Sequence, residues 1–62
     1  MDAVMLNSGR IIPYTYDLTY DGIIATAHVL KEKPITTEEK HEFKSKLQSE
    51  RDLVALYWNT NV

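Results

Sequence analysis

The clearest pattern along the chain lies between residues 14 and 21, where Tyr14, Tyr16, Leu18 and Tyr20 alternate with Thr15, Asp17, Thr19 and Asp21. A period of two puts the apolar set on one face of an extended strand. Pro13 has no N–H to give a ladder and is expected at the start of this strand or on an edge. Asp21-Gly22 is a favoured pair for a two-residue type I′ turn. Closing a hairpin there sets Tyr20 opposite Ile23, Leu18 opposite Ala25, Tyr16 opposite Ala27 and Tyr14 opposite Val29, with Asp17–Thr26 and Thr15–His28 on the other face. The competing reading makes residues 21–33 a helix, because Ile23, Ile24, Ala27 and Leu30 also share a helical stripe and Lys31 and Lys33 would suit its C-terminus. The hairpin is the preferred reading.

Upstream, Ala3 to Leu6 is a short apolar run followed by the turn residues Asn7-Ser8-Gly9, which predicts a first hairpin into Arg10-Ile11-Ile12. Downstream, Pro34 ends the preceding element and Thr36-Thr37-Glu38-Glu39 matches a capping box, with Thr36 as N-cap and Glu39 at N3. A helix over about 37–50 follows. Its early Glu38, Glu39 and Glu42 and later Lys44 and Lys46 suit the macrodipole, and Glu42–Lys46 is a favourable i,i+4 pair. Only Phe43 and Leu47 are strongly apolar, so its buried stripe is narrow. The final run Leu53-Val54-Ala55-Leu56-Tyr57-Trp58 is apolar on all sides and reads as a buried strand, the alternative being a short helix capped by Ser49. The expected fold is a small single α+β domain over 1–62: antiparallel hairpins, one capped helix, then a strand or short helix.

Size and composition sharpen this picture. A chain of 62 residues buries only about 60% of its unfolded surface, which leaves a thin core. Chains this short commonly add disulfides, a metal or a partner subunit; with no cysteine, disulfides and thiolate metal sites are excluded. A second copy or another protein becomes the natural supplement. Seven Lys and Arg against nine Asp and Glu give a net charge of -2, too balanced to define a nucleic-acid or membrane surface. At 44% hydrophobic and 10% aromatic the chain is globular rather than disordered. The opening Met1 to Leu6 has no basic region and is too short for a signal peptide or a membrane span, so a cytoplasmic protein is expected.

Candidate chemistry is sparse. Ser8, Ser45 and Ser49 lie in no nucleophile elbow. His28 could approach Asp17 diagonally across the hairpin as an oriented base, but a surface or edge histidine with a convenient hydrogen bond is the preferred reading. Glu38-x-x-His41 has the spacing of a di-iron ligand helix, but one copy on a solvated helix is weak support. Two glycines cannot build a phosphate loop. Lys31, Lys33, Lys40, Lys44 and Lys46 together with strand tyrosines hold the ingredients of a nucleic-acid binder, and a helix over 21–33 would suggest a helix-turn-helix; the interleaved glutamates cancel much of the field.

What remains is more aromatic and apolar material than a tiny core needs. Tyr and Trp dominate interface hot spots because they bury large area at low entropic cost. Tyr14, Tyr16, Tyr57 and Trp58 are the candidate partner-interface residues, through an exposed sheet edge or the Tyr57-Trp58 region. The expectation is a non-enzymatic interaction protein without cofactor or metal, a homo-oligomer or a modulator of a larger protein, with no membrane partner. A small DNA- or RNA-binding regulator is the alternative. An accessory protein of a phage or other mobile element would fit the size, with no residue that carries that origin.

Overall fold

A computed structural model describes residues 2–60 and contains four strands and one helix in the order β1 (Asp2–Met5), β2 (Ile11–Thr19), β3 (Gly22–His28), α1 (Thr37–Glu50) and β4 (Leu53–Asn59). One sheet holds all four strands in the order β1-β2-β3-β4. The first three form an antiparallel meander, and β4 lies parallel to β3. A parallel neighbour needs a crossover, and α1 supplies it. The α+β class, the two hairpins and the helix over 37–50 follow the sequence pattern, and the C-terminal run is a strand. Residues 22–28 are a strand as well, so the helical alternative for that segment falls, and with it the helix-turn-helix.

The β1–β2 turn closes with Gly9 at φ +93°, Leu6 N donating to Arg10 O at 2.7 Å and Gly9 N donating to Leu6 O at 2.9 Å. The second turn differs from the expected type I′. Gly22 alone has positive φ there, at +136°, so the two loop residues are Tyr20 and Asp21, and Thr19 pairs with Gly22. Tyr14 therefore pairs with Ala27, Tyr16 with Ala25, Leu18 with Ile23, Thr15 with Thr26 and Asp17 with Ile24, two residues from the expected register. An even shift leaves every side chain on its expected face. Contact with β4 fixes this choice: Ile23 N donates to Asp52 O at 2.8 Å, and a Cβ on Gly22 would lie 2.6 Å from that oxygen.

Pro13 also departs from expectation, being the third residue of β2 and paired with Ala3. Ile23 and Val29 donate toward β4, so by alternation the even residues of β3 address β2, and Thr15 and Asp17 answer them. Pro13 points the same way, but the β2–β3 ladder ends at Tyr14–Ala27, so its missing N–H breaks no rung.

The helix packs on one face of the sheet. Phe43 and Leu47, the narrow stripe seen in the sequence, are fully buried against Val4, Leu6, Ile12, Tyr14, Ala25, Ala27 and Val29. Phe43 meets Tyr14 edge-on at 6.0 Å and Trp58 at 5.2 Å between ring centres. Both halves of the capping box form: Glu39 N donates to Thr36 Oγ1 at 3.1 Å, and Thr36 N to Glu39 Oε1 at 3.0 Å. At the other end Arg51 turns directly into extended backbone, its N–H donating to Leu47 O at 2.9 Å. Ser49 lies inside this helix and its hydroxyl donates to Lys46 O, so it caps no second helix.

Polar side chains tie the layers together at their margins. Lys46 donates to Met5 O and Asn7 Oδ1 and pairs with Glu42 at 3.2 Å, and Arg10 bonds Glu39 Oε1 at 3.1 Å and the carbonyls of Lys33 and Pro34. Among the described residues no helix is long and apolar enough to cross a membrane.

Candidate interaction surface

One helix cannot cover both sides of a sheet, and among the described residues the side opposite α1 has no second layer. Strand alternation places Met5 on it from β1, Ile11, Pro13, Thr15 and Asp17 from β2, and Ile24, Thr26 and His28 from β3. In β4 the register slips between Ile23 and Ile24, giving that strand an extra residue. Val54 then lies beside Gly22 on the open face, and Ala55 and Tyr57 follow beside Ile24 and Thr26. Met5 and Tyr57 are each 60% exposed and Ile11 59%. Single exposed apolar residues are ordinary; here a pair stands at each margin of one uncovered sheet face, with Thr15, Thr26 and His28 between them.

The open face is nearly free of charge. Asp17 and His28 are its acidic and imidazole strand residues, the Asp52 carboxylate lies at its margin beside Gly22, and none of its described strand residues is lysine or arginine. His28 bridges three strands: its Nε2 lies 3.2 Å from Thr15 Oγ1 on β2 and its Nδ1 3.3 Å from Asn59 Nδ2 on β4. The sequence suggested an approach of His28 to Asp17. Asp17 instead pairs with Ile24, and the hydroxyl of Thr15 occupies the imidazole.

Edges add a second feature. Strand β4 is an outer strand, and Leu53 to Asn59 contains no charged residue and no proline, the usual devices that blunt an edge. On the far side, among the described residues, pairing of β1 with β2 stops at Asp2–Tyr14, so β2 continues past its neighbour.

The four aromatic candidates divide between these surfaces. Tyr57 stands on the open face. Trp58 points the other way, half-buried against Phe43, with the Lys40 ammonium 5.7 Å from its ring centre. Tyr14 is 1% exposed and belongs to the core; its hydroxyl accepts from Arg51 Nε at 2.9 Å. Tyr16 is 38% exposed at the end of α1, where the Arg51 guanidinium stacks 4.3 Å from its ring centre. Arg51 also pairs with Asp2 at 3.1 Å. The Tyr14 hydroxyl first, then both rings and Asp2, hold the Arg51 cation more firmly charged than usual. The sequence missed the open face because it depends on which strand face α1 covers, and both faces of β4 read as apolar.

Among the described residues no three His, Cys, Asp or Glu side chains cluster as metal ligands, and Glu38 and His41 are exposed on α1. Among the described residues, open surface depressions lie along Gln48 to Leu53 at the helix end, beside Arg10, Ile11 and Leu30, and at Leu18 to Tyr20. Comparison with known protein families, with characterised proteins and with solved structures finds no match for this chain.

Proposed function

We propose that this chain is a small non-enzymatic protein-interaction module that docks through the helix-free face of its sheet, against itself or a larger protein. The observation that carries the reading is the helix-free face with few charges, where Val54 and Tyr57 at one margin and Met5 and Ile11 at the other are exposed on paired strands. Strands hold such anchors in place before binding, which lowers the entropy lost on association. A tyrosine with an exposed ring and a polar tip is a favoured hot spot. The uncharged β4 edge extends the same surface and supports the reading.

The test uses the tagged chain to capture partners from its native cell lysate, in nuclease-treated and untreated halves, beside a Tyr57→Lys variant. A stoichiometric protein, this chain or another, that survives nuclease and is lost with Tyr57→Lys is the expected result. Recovery of nucleic acid, or of protein only without nuclease, would overturn it.

A further inference from the structure

Resting on that reading, we infer that the occupant of the open face is a second copy of this chain, packed sheet against sheet about a two-fold axis with the two helices outermost.

Three properties of the face select this occupant. The first is charge. A face whose strands carry one carboxylate, one imidazole and no lysine or arginine, with Asp52 at its margin beside Gly22, offers an acidic partner nothing to pair with, and against its own copy the like charges are confined to the Asp17 and Asp52 end. The second is shape. A two-fold axis running along the strands lays β4 of each copy over the β1–β2 edge of the other, so Val54 and Tyr57 at one margin and Met5 and Ile11 at the other are covered in one step. Sheets pack in this way about 10 Å apart, their strands about 30° off alignment because each is twisted. The third is area. Four strands about 4.8 Å apart and about 23 Å long present a flat footprint of roughly 430 Å². Two copies bury roughly 900 Å² before side-chain relief is counted, and relief carries this past the ~1,000 Å² that a specific interface needs.

Dimerisation supplies what the monomer lacks. Its core is a single layer between helix and sheet, and a second layer converts the solvated sheet face into interior. Thr15, Thr26, His28 and Asn59 are uncharged or already hydrogen-bonded to one another, so this part of the face carries little desolvation penalty, and Asp17 lies beyond it, two positions from the Thr19–Gly22 turn pair.

Sedimentation velocity on the untagged chain over a wide concentration range tests this, together with isotope-filtered NOE spectra on an equal mixture of labelled and unlabelled chain. The expected species has twice the monomer mass of 7.2 kDa. Intermolecular contacts should reach the Tyr57 ring and the Met5 and Ile24 methyl groups. Tyr57→Lys and Met5→Lys, both at exposed positions and checked for folding by circular dichroism, should each weaken the dimer at least about tenfold, as expected for a charge placed in a desolvated interface. A wild-type monomer throughout overturns the second copy and leaves the interaction reading to the capture experiment. A dimer that both variants leave intact, without contacts to Tyr57, places self-association elsewhere and overturns the inference; the docking-face reading falls separately if Tyr57→Lys keeps the captured partner.

Discussion

Replacing Gly22 with alanine tests the turn and the β3–β4 junction at once. Gly22 sits at φ +136°, and a Cβ there would lie 2.6 Å from Asp52 O and 2.6 Å from Val54 Cγ2. The left-handed backbone costs an L-residue about 1–2 kcal/mol. The clash is with backbone, so relief must move Asp52 and strain the Ile23 N to Asp52 O bond, worth about 1 kcal/mol. Gly22→Ala should therefore cost ~2–3 kcal/mol, against a total stability of roughly 3–9 kcal/mol for a chain this size. Gly9→Ala is the control, since Gly9 has φ +93° with nothing within 4 Å of the added carbon. It should show the backbone cost alone, ~1–2 kcal/mol. Urea unfolding followed by Trp58 fluorescence and far-ultraviolet circular dichroism measures both. If Gly22→Ala proves no more damaging than Gly9→Ala, contact with β4 does not set the hairpin register.

Further outcomes follow from the helix. Phe43→Ala removes a fully buried ring that touches Tyr14 and Trp58, at about 3–5 kcal/mol, enough to leave the chain at the edge of unfolding; Phe43→Leu should stay folded in the same urea experiment. Thr36→Ala should lower stability by about 0.5–2 kcal/mol in thermal melts by losing the N-cap. Glu39 has its carboxyl held below the usual range, first by the Thr36 backbone N–H and then by Arg10. A carboxyl depressed in the folded state stabilises above its unfolded value and loses that contribution as pH falls through its folded value, so urea midpoints should drop below the normal carboxylate range. Glu39→Gln should flatten that drop; an unchanged acid profile would contradict the pairing.

Local signals made most of the fold legible. The alternation in Tyr14–Tyr20 marks the strand and its two faces, although of its four apolar residues only Tyr14 is buried under the helix while Leu18 and Tyr20 stand exposed, and the capping box at Thr36–Glu39 is a contact within four residues, readable without knowing the fold. The hairpin register was not legible, because Asp21-Gly22 suits either turn and the decision comes from Asp52, thirty residues on in the chain. The same limit hid the surface. Tyr14, Tyr16 and Tyr57 look equivalent as strand tyrosines, yet one is core, one lies under Arg51 and one faces solvent, according to where a single helix lands. Trp58 and Tyr57 are neighbours that point to opposite faces, so an interface named from their adjacency contains two different environments.

The placement of charge bears directly on the nucleic-acid alternative. A sheet that reads unpaired bases needs its stacking rings and its cations on one surface, because the phosphates and bases of one strand lie within a few ångströms of each other. Here Tyr57 stands on the face without lysine or arginine, and Lys40 on the helix side covers Trp58 instead. Of the other cations, Arg10, Lys46 and Arg51 are engaged by Glu39, Glu42 and Asp2. Lys31, Lys33 and Lys44 remain on the segment before α1 and on α1 itself, interleaved with Glu32, Glu38 and Glu42. Fluorescence anisotropy with a labelled single-stranded oligonucleotide at low ionic strength should therefore show no saturable binding. A true binder using four lysines would lose affinity with a log–log salt slope of roughly -3 and weaken further on Lys40→Ala and Lys44→Ala. Finding that slope would mean that cations and rings converge on a surface other than the open face, and the protein-interaction reading would give way to the regulator.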